Sequence, residues 1–294
     1  PKDLSTHGNV TVIDNLNDLP KSDLQDVVLG IDPSVTDWKL PNEILEQMKN
    51  LKGICTLSAW AYYIDIEYCK KREIIVCNTP EANSQSVAEN AIWMMLSLAR
   101  KLPIQIQDNF KTKIDSNHLQ TEIAGKTMAV FGLGNIGKRI AKMGKGLGMK
   151  VIYWSPNSRS NDYEYVEFDE GIRSADYIFN CVEALKDTKN LFSGEKLALA
   201  KKEACFISVM GGMGWGPEDN EYLINSVNEG KLAGFAIENE HEPHFKMPPV
   251  ANNANLFMPG AYAYYTHEAE SLSWQKWIEA IIGIATQNYR HRVV

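Results

Sequence analysis

The chain has 294 residues, of which 44% are hydrophobic and 23% charged, with a net charge of −7 at pH 7. This composition is ordinary for a globular protein, and the length suits one large or two ordinary domains. The acidic balance argues against nucleic acid or an anionic membrane as a partner, and no apolar stretch is long enough to span a bilayer. The first ten residues lack the apolar segment of a signal peptide, so a cytoplasmic location is expected.

Five cysteines are scattered along the chain, and no pair has metal-binding spacing. They are Cys55, Cys69, Cys77, Cys181 and Cys205. Most lie in apolar runs typical of strands, which predicts buried free thiols in a reducing compartment and no metal site.

The first eighty residues alternate short apolar runs with polar stretches that are compatible with helices, which predicts an α/β fold. Strands are predicted at 10–13, 27–31, 54–57 and 74–77. A long helix then starts at Ser84, with Ser86 and Glu89 spaced as a capping box and Pro103 as its stop. Because this helix is apolar on nearly all sides, we expect one face to cover the core and another to contact a partner subunit.

The stretch 127–155 carries the strongest motif: an apolar strand, a glycine-rich turn that reads G-x-G-x-x-G, a helix, and a second strand at 151–154. At its three glycine positions, Gly132 permits a tight turn, Gly134 lets a pyrophosphate approach the backbone, and Gly137 lets helix and strand pack closely. The N–H groups at the start of the helix, at Asn135 and Ile136, are predicted to hold the phosphates of a dinucleotide.

The residue that closes the second strand bears on the choice of nicotinamide cofactor. An acidic residue there would bind the adenosine ribose and repel a 2′-phosphate, whereas this chain has Ser155, followed by Asn157, Ser158 and Arg159. A hydroxyl, an amide and an arginine tolerate a phosphate, so NADP is favoured. The alternative is that Arg159 is a solvated loop charge and that the pocket accepts NAD as well.

Further strands are predicted at 177–182, 205–209 and 234–237, and a long helix is predicted from Thr266. Several motifs follow one another along the chain: SVAE with a long helix, GLGNIG, a strand ending near Ser155, GKLAGFAIE followed by EP, and THEA. Their order resembles that of the D-2-hydroxyacid dehydrogenases of the glycerate or hydroxypyruvate reductase type. The resemblance implies two doubly wound parallel-sheet domains. A Rossmann dinucleotide-binding domain, 84–265, would be inserted into a flavodoxin-like substrate domain, 1–83 plus 266–294.

The same resemblance implies a homodimer that acts on a small-molecule substrate in the cleft between its domains. It implies that four residues at the ends of the later strands line the cofactor: Cys181, Val182, Val209 and Met210. Glu238 falls where the family carries an aspartate near the nicotinamide, and Glu242, which precedes a proline, matches the glutamate that holds the catalytic histidine.

Three family features are missing from the positions that the resemblance assigns to them. No arginine occurs between Arg173 and Arg290, and the segment at Gly211 replaces the family's carboxylate clamp. No histidine follows Pro259, where Gly260 begins a tyrosine-rich segment instead. Trp60 and Tyr62 replace small or acidic residues in the substrate loop, so the predicted substrate pocket contains Trp60, Tyr62, Gly211 and Gly260.

These departures leave three hypotheses. The first is a nicotinamide-dependent reductase of a less anionic, larger substrate, which is a ketone, an imine or an activated double bond. One of Tyr62, Tyr262, Tyr264 and Tyr265 would supply a hydroxyl donor, and His267 or Glu242 would act as acid or base. The second is a catalytically silent dinucleotide-binding protein with a regulatory or scaffolding role. The third keeps hydroxyacid chemistry and uses a relocated lysine, Lys246, as the carboxylate clamp.

Overall fold

The computed structural model describes residues 4–18, 27–116, 118–182, 188, 191–209, 217–238, 251 and 254–294. The chain forms two compact units. The terminal unit comprises Pro1–Asn83 with Tyr265–Val294, and the central unit comprises Ser84–Tyr264. The predicted roles of these units in substrate and cofactor binding stay predictions at this point.

The terminal unit is built on a sheet of three parallel strands in the order β1-β2-β3. Its elements are β1 (Val27–Ile31), α1 (Asn42–Glu46), β2 (Leu51–Thr56), α2 (Ile66–Lys71), β3 (Ile75–Cys77) and α9 (His267–Ala285). Apolar side chains cover both faces of the sheet. Ile54 and Val76 pack with residues of α1 and α2 on one face, whereas Cys55 packs with Ala280 and Ile284 of α9 on the other.

One predicted strand of this unit is wrong. Residues 10–13 form no strand, and the nearest regular elements are 3-10 turns at Leu4–Thr6 and Leu16–Asp18. Val12 is 80% exposed. Alternation of valine with polar residues mimics a strand pattern, but a strand also needs a neighbour that binds its backbone.

The central unit is built on a seven-stranded parallel sheet in the order β10-β9-β8-β7-β4-β5-β6. Its helices are α3 (Ser84–Ala99), α4 (Leu102–Gln107), α5 (Asn135–Gly146), α6 (Phe168–Ser174), α7 (Gly194–Leu197) and α8 (Pro217–Asn228). Its strands are β4 (Thr127–Phe131), β5 (Lys150–Trp154), β6 (Glu164–Tyr165), β7 (Tyr177–Asn180), β8 (Cys205–Ser208), β9 (Gly234–Ile237) and β10 (Leu256–Phe257). This strand order is that of the Rossmann fold, in which the order of strand addition reverses between β4 and β7 while all strands stay parallel.

Helices cover both faces of the larger sheet, which confirms the doubly wound α/β prediction. Alternate residues of β4 show the division: Met128 and Val130 pack with α3 and α5, whereas Ala129 and Phe131 pack with α6 to α8. Four cysteines are buried, Cys181 is half-buried, and all five are free, as predicted. Among the described residues, no helix has both the length and the apolar character needed to cross a membrane.

The predicted capping box of α3 is wrong. The helix begins at Ser84, so Ser86 and Glu89 already lie inside it. The Ser86 hydroxyl donates to the carbonyl oxygen of Ala263, and Glu89 accepts from Gln85 at 2.8 Å. Ser86 therefore ties the helix to a segment distant in sequence, which a local motif cannot reveal.

A charged cluster follows α4, and one histidine is at its centre. His118 Nε2 lies 2.5 Å from Asp108, His118 Nδ1 lies 2.7 Å from Asp115, and Lys113 lies 2.5 Å from Asp108. Hydrogen bonds to Asp115 and then to Asp108 raise the pKa of His118 above its ordinary value. The pKa of Asp108 is lowered, first by Lys113 and then by His118. Both ring nitrogens face carboxylates, so the imidazolium is the favoured form.

We expect the segment 108–118 to lose stability as the pH rises. Because the folded pKa of His118 is raised, its contribution is complete below the unfolded value of about 6.5 and is lost as the pH passes the folded value. Amide hydrogen exchange, corrected for intrinsic rates, should show weaker protection of this segment at pH 8.5 than at pH 6. His118→Gln should remove the difference. Equal pH dependence in the variant and the wild type would contradict this account.

Candidate cofactor and catalytic site

The glycine-rich turn lies between β4 and α5, at the point where the strand order reverses. Gly132 has a positive φ of 93°, and a Cβ there would lie 2.6 Å from the carbonyl oxygen of Cys181. A Cβ on Gly137 would overlap the carbonyl oxygen of Gly132. Both positions therefore require glycine for the turn and for the packing of α5 against β4.

Gly134 has no such structural requirement. Its φ of −81° suits any residue, and a Cβ there would meet nothing within 4 Å. Gly134 is the N-cap of α5 and has no side chain that could cap the helix. It precedes Asn135 and Ile136, which lie in the first turn. The first N–H groups of a helix have no acceptor within the helix, so these groups and the open space at Gly134 fit the phosphates of a dinucleotide.

The end of β5 lies beside β4, and its loop carries the predicted cofactor-selecting residues. Ser155 is buried, and its hydroxyl accepts a hydrogen bond from the N–H of Ser158 at 3.3 Å. Arg159 donates to the carbonyl oxygens of Ser155 and Ser158 at 2.8 and 2.9 Å. Asn157 is exposed in the same loop.

A second contact holds the Arg159 side chain. Its guanidinium lies 4.4 Å from the centroid of the Tyr165 ring, a residue of β6 that the sequence reasoning missed. Arg159 is exposed, but these contacts hold its guanidinium against the end of β5. The arrangement presents a guanidinium and a hydroxyl near the strand end and no carboxylate at Ser155.

The carboxyl ends of β7 and β8 lie at the same edge of the sheet as those of β4 and β5. Cys181 donates its N–H to Phe131 at 2.8 Å, and Val209 donates its N–H to Asn180 at 3.1 Å. Val182 is buried in the core on the side of α6 to α8. Burial raises the pKa of the Cys181 thiol, so this cysteine stays protonated and unreactive near neutral pH.

Glu238 follows β9 and joins two other parts of the central unit. Its Oε1 accepts from the Ala263 N–H at 2.7 Å and from the Asn90 side chain of α3 at 3.2 Å. Because the Ser86 hydroxyl binds the carbonyl of the same Ala263, both backbone polar groups of that residue are held. Glu238 therefore fixes the segment that carries Gly260 and Tyr264, a role absent from the sequence-based prediction.

We expect Glu238→Asp to destabilise the protein because the shortened side chain withdraws from the Ala263 N–H. A hydrogen bond to a carboxylate contributes about 1.5–3 kcal/mol, and the melting temperature should fall by roughly 2–4 °C for each kcal/mol lost. Glu89→Asp, on the exposed side of α3, is the matched control. Equal melting temperatures for the two variants would refute this role of Glu238.

The predicted catalytic side chains lie in different environments. In the tyrosine-rich segment, Tyr264 is exposed, and a Cβ on Gly260 would lie 2.8 Å from the Tyr262 ring. His267 is the exposed first residue of α9. The N-cap is Thr266, whose hydroxyl accepts from the Ala269 N–H at 3.2 Å, so His267 does not cap this helix. The predicted residues Met210, Gly211, Glu242 and Lys246 lie outside the described residues.

Trp60 and Tyr62 follow β2 in the terminal unit, where Tyr62 is exposed and Trp60 half-buried. They contact each other edge to face, with ring centroids 6.4 Å apart. Trp38, which the sequence reasoning missed, stacks on Tyr62 at 5.5 Å. Nothing in the pattern around Trp38 distinguishes it from an ordinary aromatic residue in a turn.

Comparison with known families shows to which family the chain belongs. The model for the D-isomer specific 2-hydroxyacid dehydrogenase, NAD binding domain, matches residues 92–259. The chain is a member of this family. It is 32% identical to a hydroxypyruvate reductase of Thermotoga maritima over 225 residues, which cover 75% of this chain and 72% of the relative.

Solved structures agree with this family fold. An acyclic imino acid reductase in complex with NADPH and D-Arg has a TM-score of 0.80 at 23% identity, covering 95% of this chain and 88% of that one. A D-lactate dehydrogenase from Aquifex aeolicus, complexed with NAD and lactic acid, has a TM-score of 0.75 at 23% identity, covering 92% and 87%. This chain is thus related to the NAD-dependent D-2-hydroxyacid dehydrogenases, and its fold is the two-domain fold predicted from the sequence.

Proposed function

We propose that this member of the D-2-hydroxyacid dehydrogenase family is an oxidoreductase that uses NADP in preference to NAD and acts on a substrate other than a simple 2-oxo acid. The observation that carries the proposal is the geometry at the ends of β4 and β5. An open helix N-terminus for phosphates adjoins a strand end that carries Ser155 and a held Arg159.

The cofactor preference follows from charge. A 2′-phosphate carries negative charge and accepts bidentate hydrogen bonds from a guanidinium, whereas a ribose hydroxyl gains most from a carboxylate. With Ser155 where the carboxylate would be, and Arg159 four residues later, the loop suits the phosphate. Asn157 and Ser158 supply additional polar groups in the same loop.

The substrate preference follows from what the sequence lacks. The family positions for the carboxylate-binding arginine and the acid–base histidine carry neither residue in this chain. A 2-oxo carboxylate without its cation would leave a charge unpaired, at a cost of about 1–3 kcal/mol or more. We therefore expect a neutral or cationic ketone or imine as the hydride acceptor.

A bound nicotinamide supplies the hydride, and the chain must supply phosphate binding, orientation and a proton. Gly132, Gly134 and Gly137 shape the turn, and the first N–H groups of α5 hold the phosphates. Glu238 positions the tyrosine-rich segment. The candidates for the proton donor are Tyr264, His267 and Glu242, which are side chains that can hold a proton at neutral pH when their surroundings favour it. We further propose that the protein acts as a homodimer.

The experiment is an acceptor screen that follows oxidation of NADPH by the purified protein. Neutral ketones and preformed imines are compared with glyoxylate and hydroxypyruvate at equal concentrations. We expect turnover of at least one ketone or imine class to exceed that of both 2-oxo acids. Faster turnover of glyoxylate or hydroxypyruvate would overturn the substrate proposal, and no turnover with intact NADPH binding would favour the silent dinucleotide-binding protein.

A further inference from the structure

Four aromatic side chains lie together at the carboxyl edge of the terminal sheet. Trp38 belongs to the turn after β1, and Trp60, Tyr62 and Tyr63 belong to the segment after β2. We refer to these four residues as the aromatic corner. Since β1 and β2 are parallel neighbours, the segments that follow them meet at one edge, which is the edge where open α/β sheets bind ligands.

The rings of the aromatic corner contact one another in one stacked pair and in edge-to-face pairs. Trp38 and Tyr62 are parallel to within 2°, whereas Trp60 meets Tyr62 at 75° and Tyr63 meets Tyr62 at 84°. Trp38 is 37% exposed and Tyr62 is 56% exposed. Much of the ring surface therefore faces solvent instead of filling the core.

The backbone holds Trp38 in an unfavourable conformation. Asp37 and Trp38 have positive φ angles of 51° and 53°, which bulky side chains rarely adopt. The Trp38 N–H donates to Pro33 at 3.0 Å, which closes the turn. The turn therefore places a large ring at a partly exposed surface at the expense of backbone strain.

The tyrosine hydroxyl behind the corner is fixed. Tyr63 donates to the buried Thr56 hydroxyl at 2.6 Å. Burial, more than the nearby Asp32 charge, raises the pKa of Tyr63 to about 12, so the phenol stays neutral. Tyr63 is therefore anchored to Thr56, packs edge to face against Tyr62 and stays neutral at neutral pH.

The charges around the corner are mostly negative. Asp32 follows β1, and its Oδ1 accepts from the N–H and the hydroxyl of Ser34 at 2.9 and 2.7 Å. Asp37 is paired with Lys39 at 2.6 Å, and Asp65 caps α2 by accepting from the Tyr68 N–H at 2.9 Å. The Asp32 charge acts on the Tyr63 phenol, so this carboxylate lies close to the corner. A carboxylate beside aromatic rings attracts cations and repels other carboxylates.

We propose that the aromatic corner and Asp32 form a binding site for an organic cation that carries an alkylammonium or guanidinium group. The ring faces attract the cation through their quadrupoles, and perpendicular aromatic walls are a recurring means of cation recognition. The carboxylate of Asp32 supplies the opposite charge. The proposal that this surface binds an organic cation is independent of the proposed function. The additional proposal that the substrate carries such a cation rests on the proposed function.

The test uses the 294-residue chain without cofactor, so its result does not depend on the oxidoreductase activity. Binding of butylguanidine is measured by isothermal titration calorimetry and compared with butylurea, a neutral molecule of nearly the same shape. We expect saturable binding of butylguanidine that is about tenfold tighter than that of butylurea.

Three variants test the residues. Asp32→Asn and Trp38→Leu should each weaken butylguanidine binding about tenfold, whereas Trp38→Phe should retain most of it. Glu46→Gln, an exposed acid of α1, and Trp274→Leu, an exposed tryptophan of α9, are the controls and should bind as the wild type does. Circular dichroism checks that each variant is folded.

Three outcomes would overturn the proposal: no saturable binding, equal binding of the guanidine and the urea, or wild-type binding by both Asp32→Asn and folded Trp38→Leu. Loss of activity in the acceptor screen with intact butylguanidine binding would refute the proposed function alone. If the screen succeeds and this site fails, the substrate does not need a cationic group.

Discussion

Gly134→Ala should fold as the wild type does and lose binding of both NADPH and NADH. The backbone at Gly134 suits alanine and the space around it is open, so a methyl group there disturbs no protein contact. It would instead occupy the place where a pyrophosphate approaches the backbone. We expect both dissociation constants to rise at least about tenfold, with an unchanged melting temperature, as measured by fluorescence titration and thermal unfolding.

Two other glycines of α5 complete this experiment. Gly146→Ala is the control, because a Cβ there also meets nothing within 4 Å but lies at the far end of the helix. It should bind normally and gain up to about 1 kcal/mol from the better helix propensity of alanine. Gly137→Ala should lose both binding and stability, because its methyl group would overlap the Gly132 carbonyl. Normal cofactor binding by Gly134→Ala would contradict the assignment of the phosphate site.

Arg159→Ala should weaken NADPH binding about tenfold or more and leave NADH binding nearly unchanged. The guanidinium, held by two carbonyl oxygens and the Tyr165 ring, is the proposed contact of the 2′-phosphate, which NADPH carries and NADH lacks. The measurement is a titration of the variant with each cofactor. The ratio of the two dissociation constants reports the contribution of the 2′-phosphate without influence from general changes in the fold.

Arg173→Ala, which removes an exposed arginine from α6, controls for the loss of one positive charge. It should leave the NADPH to NADH ratio unchanged at physiological ionic strength, because Arg173 is not among the residues assigned to the cofactor and salt screens exposed charges. Should Arg159→Ala weaken the two cofactors equally, the guanidinium would not read the 2′-phosphate, and the loop would accept either cofactor.

Those elements whose determinants are local were predictable from the sequence. The glycine turn at Gly132 to Gly137 carries its own steric reason, and each flanking strand is an unbroken apolar run, as buried parallel strands are. The failure at residues 10–13 has the opposite cause. A valine pattern gives a side-chain period, but only pairing with a neighbouring strand makes a β-strand, and pairing is not encoded in a short window.

Most parts of the candidate site that the sequence did not reveal depend on residues far apart in the chain. Ser86 looked like a capping residue because its partner, Ala263, is 177 positions away. The bonds of Glu238 to Asn90 and Ala263 were not predicted because they form only in the folded sheet, and its place near the nicotinamide stays a prediction. Trp38 joins Tyr62 only because β1 and β2 are parallel neighbours.

The most direct test of the account is a titration of the wild-type protein with NADPH and with NADH, followed by quenching of tryptophan emission. Trp154 ends β5 next to Ser155, so a dinucleotide bound at this edge should change its emission. The account predicts saturable binding of both cofactors, with NADPH about tenfold tighter. Tighter binding of NADH would contradict the role given to Ser155 and Arg159, and absence of binding by either would refute the oxidoreductase proposal itself.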